Sequence, residues 1–198
     1  YTLSRCVGHP TITGFGQQSS GYSDPNNQDA DKGNCSGSRR HIANVTLGYV
    51  TPQFESAALR AVASDWRLSS SISARSGSWL NVTSGRQASS GQRLQNRRAD
   101  QVSADVYGPG ADRSNFGGEP GERIDNFLNR SAFAQPDYNR IGDYEYNSIQ
   151  GPKFWVVNLA VSKRVGLGGG SRNVELRVEA FNLFNTFNWA NPSTVLSR

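Results

Sequence analysis

The chain has 198 residues, enough for one large or two small domains, yet only 35% of them are hydrophobic, below the usual range of about 45–50%. No long apolar run is present, which excludes a transmembrane helix; strands of a membrane barrel, needing only about 9–11 alternating residues, remain open. The net charge of +5 and a pI near 9.5 suit an anionic partner without choosing among nucleic acid, lipopolysaccharide or an acidic ligand.

Period-two alternation marks five strands. The first covers Tyr1 to Val7. A polar connection follows, in which Cys6 and Cys35 are candidates for a disulfide, worth about 3–4 kcal/mol by loop entropy and implying an oxidising compartment. Two unpaired thiols are the alternative, and a metal site with His9 is short of ligands. Asp24, Asp29 and Asp31 in DPNNQDAD lack the glycine and closing glutamate of a calcium loop and read as a solvated turn.

The second strand, Arg40 to Thr51, sets Ala43, Val45, Leu47 and Tyr49 against Asn44, Thr46 and Gly48. His41, at its start, has no visible orienting partner and reads as an interfacial polar residue. After the link Pro52 to Asp65, the third strand, Trp66 to Val82, begins with Trp66, Leu68, Ile72 and Ala74 opposite Arg67, Ser69, Ser71, Ser73 and Arg75. A long polar segment then runs to residue 152. Its basic run GQRLQNRRAD has no interleaved aromatics on which bases could stack, so it reads as a loop facing lipopolysaccharide or solvent, and no nucleic-acid partner is expected.

The fourth strand, Lys153 to Val165, places Trp155, Val157, Leu159 and Val161 opposite Asn158, Ala160 and Ser162. GLGGGSR lacks the lysine followed by Ser or Thr of a phosphate loop and reads as a hairpin turn. The fifth strand, from Val174 towards Asn188, alternates Val174, Leu176, Val178 and Ala180 with Glu175, Arg177 and Glu179, until the pattern breaks at Phe181. Connections that alternate long, short, long, short are the rhythm of an antiparallel up-and-down meander with different surroundings at its two ends. We therefore expect an all-β chain forming a partial arc of a large transmembrane barrel, with long extracellular loops and short periplasmic turns. A soluble β-sandwich, serving as an adhesin or carbohydrate-binding module, is the alternative.

On the barrel reading, the lipid-facing candidates are Val45, Leu47, Tyr49, Leu68, Ile72, Val157, Leu159, Val161, Leu176 and Val178. The lumen-facing candidates are Arg67, Arg75, Glu175, Arg177 and Glu179. Aromatic residues near strand ends, Tyr49, Trp66, Trp79, Trp155, Phe181, Phe184, Phe187 and Trp189, would form interfacial girdles. No catalytic set, cofactor site or metal site is expected.

Four blocks resemble the carboxy-terminal part of a TonB-dependent outer-membrane receptor, most nearly the Oar-like group with its carboxypeptidase-regulatory-like domain. They are DADKGNCSGSRRHIANVTLGYV (Asp29 to Val50), DWRLSSSISARSGSWLNVTSG (Asp65 to Gly85), NSIQGPKFWVVNLAVSKRV (Asn147 to Val165) and VELRVEAFNLFNTFNWANP (Val174 to Pro192), the last containing an NLF signature. The resemblance implies a barrel of about 22 strands around a plug, taking up an unidentified nutrient across the outer membrane with energy relayed by TonB. The implied partners are membrane lipid and lipopolysaccharide, the receptor's own plug, TonB through an amino-terminal part, and the nutrient. With no methionine and Tyr1 opening the chain in mid-strand, residues 1–198 read as a fragment of the barrel, without plug, signal peptide or final strand.

Overall fold

A computed structural model describes residues 1–9, 27–85, 98–113, 126–137, 140–168 and 172–196. In chain order the strands are β1 (Thr2–Leu3), β2 (Val7–Gly8), β3 (Gly33–Asn34), β4 (His41–Val50), β5 (Trp66–Arg75), β6 (Trp79–Leu80), β7 (Asp100–Gln101), β8 (Phe133–Ala134), β9 (Ile149–Gln150), β10 (Phe154–Gly166) and β11 (Asn173–Ala180). Among the described residues two short α-helices, α1 (Ala57–Ala63) and α2 (Gly110–Arg113), interrupt them. One sheet runs β1-β4-β5-β10-β11, sequential neighbours among the long strands, and three two-stranded ribbons pair β2 with β3, β6 with β9 and β7 with β8.

The chain divides into two compact units. The first comprises Tyr1, Ile42–Ala74 and Trp155–Thr186. Its register is explicit between β10 and β11, where Leu159 faces Ala180, Val161 faces Val178, Lys163 faces Leu176 and Val165 faces Val174. Residues paired across a sheet share a face, so these eight lie on one side. Ala160, Ser162 and Arg164, opposite Glu179, Arg177 and Glu175, lie on the other. Trp66 Nε1 donates to Val62 O and Lys163 lies over the Trp66 ring, so Trp66 shares Lys163's side. By alternation Leu68, Ile72 and Ala74 follow it there, while Arg67 takes the polar side.

The short connections of this unit close at the same end of the strands. Thr51 N donates to Trp66 O at 2.9 Å, and Leu167 N donates to Arg172 O at 3.0 Å. The first link contains α1 and enters β5 through Asp65 with φ +62°. The second is the hairpin turn expected from GLGGGSR, of which 169–171 lie outside the described residues.

The second unit comprises Thr2–His41, Arg75–Phe154 and Phe187–Arg198. It has its own hydrophobic core of Leu80, Val82, Ala99, Ala132, Phe133, Tyr144, Ile149 and Leu196. Phe133 and Tyr144 meet edge to face at 5.4 Å. The segment 83–152, expected as a polar loop, therefore contributes much of a packed core.

Three strands depart from the sequence expectation by more than a single residue at an end. The strand expected over Tyr1 to Val7 is two pieces: β1 ends at Leu3, and β2 pairs with β3, beside a disulfide joining Cys6 and Cys35 with Cα atoms 5.4 Å apart. The strand expected from Trp66 to Val82 stops at Arg75. At Gly77 the backbone of Gly151 comes so close that any Cβ would collide with it, and Trp79–Leu80 then pairs with β9 in the second unit. The strand expected to run towards Asn188 stops at Ala180, because Asn182 and Asn185 adopt φ of +51° and +50°, a region Asn tolerates better than most residues.

That last break is a built turn. Asn182 Oδ1 accepts from Thr186 N and its Nδ2 donates to Thr186 O, both at 2.9 Å. Asn182 N donates to Asn158 Oδ1 at 2.9 Å, and Leu183 N donates to Val157 O at 2.7 Å. The NLFN segment thus leaves the sheet through side-chain and backbone hydrogen bonds anchored on β10.

Candidate functional site

Two surfaces could serve function, one in each unit. In the first unit the polar side of the sheet carries a ladder of charges near the short-turn end. Arg164 Nη2 lies 3.6 Å from Glu175 Oε2, and Arg177 Nη2 lies 2.6 Å from Glu179 Oε1. Arg67, Ser162, Arg164 and Glu175 line one depression together with Val50 and Asp65. A broader hollow of about 310 Å³ lies among Thr46, Ser69, Ser71, Asn158, Arg177 and Glu179. Four of the five lumen-facing candidates, Arg67, Glu175, Arg177 and Glu179, are therefore brought to these two hollows. Arg75, the fifth, ends β5 and lies over the Phe154 ring at 4.2 Å.

Two members of these rows carry signals the sequence reading passed over. Arg164 continues the polar row of Asn158, Ala160 and Ser162 by two residues. Lys163 continues the apolar row of Trp155 to Val161 by the same step. Extending the alternation to the end of the strand would have found both.

Much of the apolar side is open among the described residues: Val45, Leu47, Tyr49, Leu68, Leu176 and Val178 are all exposed, up to 72% at Val178. Such a surface is unusual for a soluble protein. At the opposite ends of the strands from the short turns, Trp155 and Phe184 approach within 6.1 Å. Trp79, Phe187 and Trp189 belong to the second unit, where Phe187 and Trp189 meet at 4.6 Å.

In the second unit an open groove of about 680 Å³ is lined by charges of both signs, among them Asp29, Lys32, Arg98, Arg140, Asp143 and Glu145. Arg98, in the basic run expected as a solvated loop, is only 5% exposed. Its guanidinium lies 3.7 Å from the buried Asp31 and donates to Tyr144 O at 3.0 Å. Residues 91–97 of that run and Asp24 lie outside the described residues. Asp29 and Asp31 diverge, since Asp29 approaches His9 at 3.4 Å while Asp31 turns inward to Arg98.

Arg140 pairs with Asp100, and that hydrogen bond, more than the nearby carboxylates, holds its pKa above the ordinary arginine value. Asp100 Oδ1 also accepts from Asp143 N at 3.1 Å, and Asp143 Oδ1 accepts from Gln101 N at 2.9 Å. Burial raises the Tyr144 phenol to about 12, partly opposed by the hydroxyl of Ser148, which donates to it.

An open antiparallel sheet with one largely exposed apolar face, one charged face and alternating long and short connections has the character of an arc of a membrane β-barrel wall. The family model described as an outer membrane beta barrel domain matches residues 1–198, and the chain belongs to that family. It resides in the outer membrane, and its unclosed antiparallel sheet is part of a β-barrel. No curated protein and no solved structure matched the chain.

Proposed function

We propose that the chain supplies barrel wall and external loops to an Oar-like, TonB-dependent receptor that takes up a nutrient of unidentified nature. The supporting observation is that the segment between β5 and β10 helps build a core and a charged groove, rather than an irregular connection. A receptor that captures a scarce ligand needs an ordered surface outside the membrane, whereas a diffusion pore needs only an aqueous lumen. The proposed facing follows the two rows. Val45, Leu47, Tyr49, Leu68, Ile72, Val157, Leu159, Val161, Leu176 and Val178 contact lipid, while Arg67, Arg75, Glu175, Arg177 and Glu179 face the lumen and its plug. This reading involves no catalysis and no cofactor; its partners are lipid, lipopolysaccharide, plug, TonB and the nutrient, and it includes no nucleic acid.

The sandwich alternative requires a second sheet against the apolar face, yet Leu47, Tyr49, Leu176 and Val178 are exposed. To test the proposal, the full-length protein is reconstituted in liposomes and challenged with small sugars, and its retention by the periplasmic domain of TonB is measured. The expected result is no passive swelling together with specific retention. Porin-like swelling without retention would overturn the transport reading while leaving the barrel intact.

A further inference from the structure

The link between β4 and β5 has a feature that a plain periplasmic turn does not need. Two side chains of the apolar row reach its helix. Trp66 Nε1 donates to Val62 O at 2.7 Å, and Lys163 Nζ donates to Val62 O at 3.1 Å and to Ser64 O at 2.8 Å. Lys163 also lies over the Trp66 ring, 5.2 Å from its centre. The β10–β11 register puts Lys163 opposite Leu176, on the same side as Val161 and Val178. Because both side chains leave from the apolar side, the last turn of α1 must lie on that side, outward from the wall.

The helix is built to be there. Its sequence is AALRAVA, and Leu59 and Val62, one turn apart, are 53% and 72% exposed. Its single charged residue, Arg60, is turned back: Nε donates to Phe54 O and Nη2 to Glu55 O, both at 2.9 Å. Within the helix the exposed apolar side chains are thus left without a charge beside them, and the groups that reach its last turn from the sheet are Lys163 and Trp66. An aromatic ring and a lysine whose stem lies on apolar surface while its ammonium reaches polar groups are the chemistry of a membrane–water boundary.

We propose that the turn between β4 and β5 is an interfacial anchor. In it α1 folds outward into the headgroup boundary of the inner leaflet of the outer membrane, Leu59 and Val62 enter the acyl region, and Lys163 meets a phospholipid phosphate. Two of the lysine's three N–H groups engage backbone carbonyls, so its charge is fixed at one level while the remaining donor is available to lipid. Continuity with the apolar wall selects phospholipid as the occupant, so the inference rests on the proposed lipid facing of that wall.

The two cysteines within residues 1–198 are joined to each other, so with any cysteine outside them replaced by serine, single spin labels can be placed at new cysteines in the full-length protein. The labels are placed by Val62→Cys, Leu176→Cys and Glu55→Cys, in bilayers of phosphatidylethanolamine and phosphatidylglycerol. Collisions with oxygen, which partitions into lipid, are compared with collisions with a water-soluble nickel chelate. Oxygen is expected to dominate at Val62 and Leu176, and nickel at Glu55. Nickel dominance at Val62 with oxygen dominance at Leu176 would overturn the anchor alone; nickel dominance at Leu176 would remove the wall's lipid facing and the anchor with it. Lys163→Gln should lower the oxygen preference at Val62 and leave Leu176 unchanged. An unaltered Val62 signal would overturn the lysine's part in the anchor.

Discussion

The two units use the same residue alphabet to opposite ends. In the first, β11 exposes Leu176 to 64% and Val178 to 72%; in the second, Val82 and Ile149 are each 1% exposed. Val, Leu and Ile in short alternating stretches serve both. What differs is the surroundings: the second unit buries its apolar groups against one another, whereas the sheet of the first leaves Leu176 and Val178 exposed. Apolar alternation therefore reports that one face avoids water, not what covers it.

Substitution on one side of this division should spare the other. The largest expected effect is in the second unit's core. Phe133 is 4% exposed and meets Tyr144 edge to face, so Phe133→Ala should cost about 3–5 kcal/mol through lost burial and a cavity. In the full-length protein the second unit should become sensitive to protease, while the folded barrel keeps its heat-modifiable migration on gels. Loss of that migration would show that the barrel's assembly depends on the second unit's core.

The converse is Leu159→Arg in the sheet. A cationic side chain on the lipid face near the midplane costs about 2–4 kcal/mol, so the heat-modifiable species should diminish. A fully assembled Leu159→Arg protein would contradict the proposed facing.

The sheet was far more legible in the sequence than the second unit, and the reason is physical. Alternation over the long strands is local information, and the rows Val45 to Tyr49 and Leu176 to Val178 can be read without knowing their neighbours. The second unit's core is assembled from Leu80, Ala99, Phe133, Tyr144 and Leu196, single residues far apart in sequence and separated by polar stretches. No period connects them. Leu80 and Val82 even extended the apparent alternation of β5 beyond its true end, because the backbone contact between Gly77 and Gly151 has no local signature. Arg98 misled in the same way: its charge indicates solvent until Asp31, distant in sequence, comes beside it.

Alkali should also distinguish the regions. Burial raises Tyr144 from the ordinary 10 to about 12. The unfolded chain therefore releases this proton first. The stabilisation is complete below pH about 10 and is lost as the pH rises towards about 12, by on the order of 2 kcal/mol. Denaturation of the full-length protein followed by near-ultraviolet dichroism should show a second-unit transition that weakens across this range. In Tyr144→Phe that part of the pH dependence should be missing; an unchanged profile would assign the effect to other groups.

The smallest effect is expected on the charged face. Arg177 and Glu179 make the shortest ion pair of the ladder, 2.6 Å, but their side chains remain 58% and 39% exposed. Solvent screens such a pair, and its contribution to stability is typically below about 1 kcal/mol. Arg177→Gln should therefore leave assembly and the temperature of barrel unfolding nearly unchanged, measured by heat-modifiable migration. If the unfolding temperature instead falls as far as for Leu159→Arg, the charged row is shielded from water in the assembled protein. That would mean a plug or neighbouring strands pack tightly against it, making the pair a structural contact between the wall and what fills it.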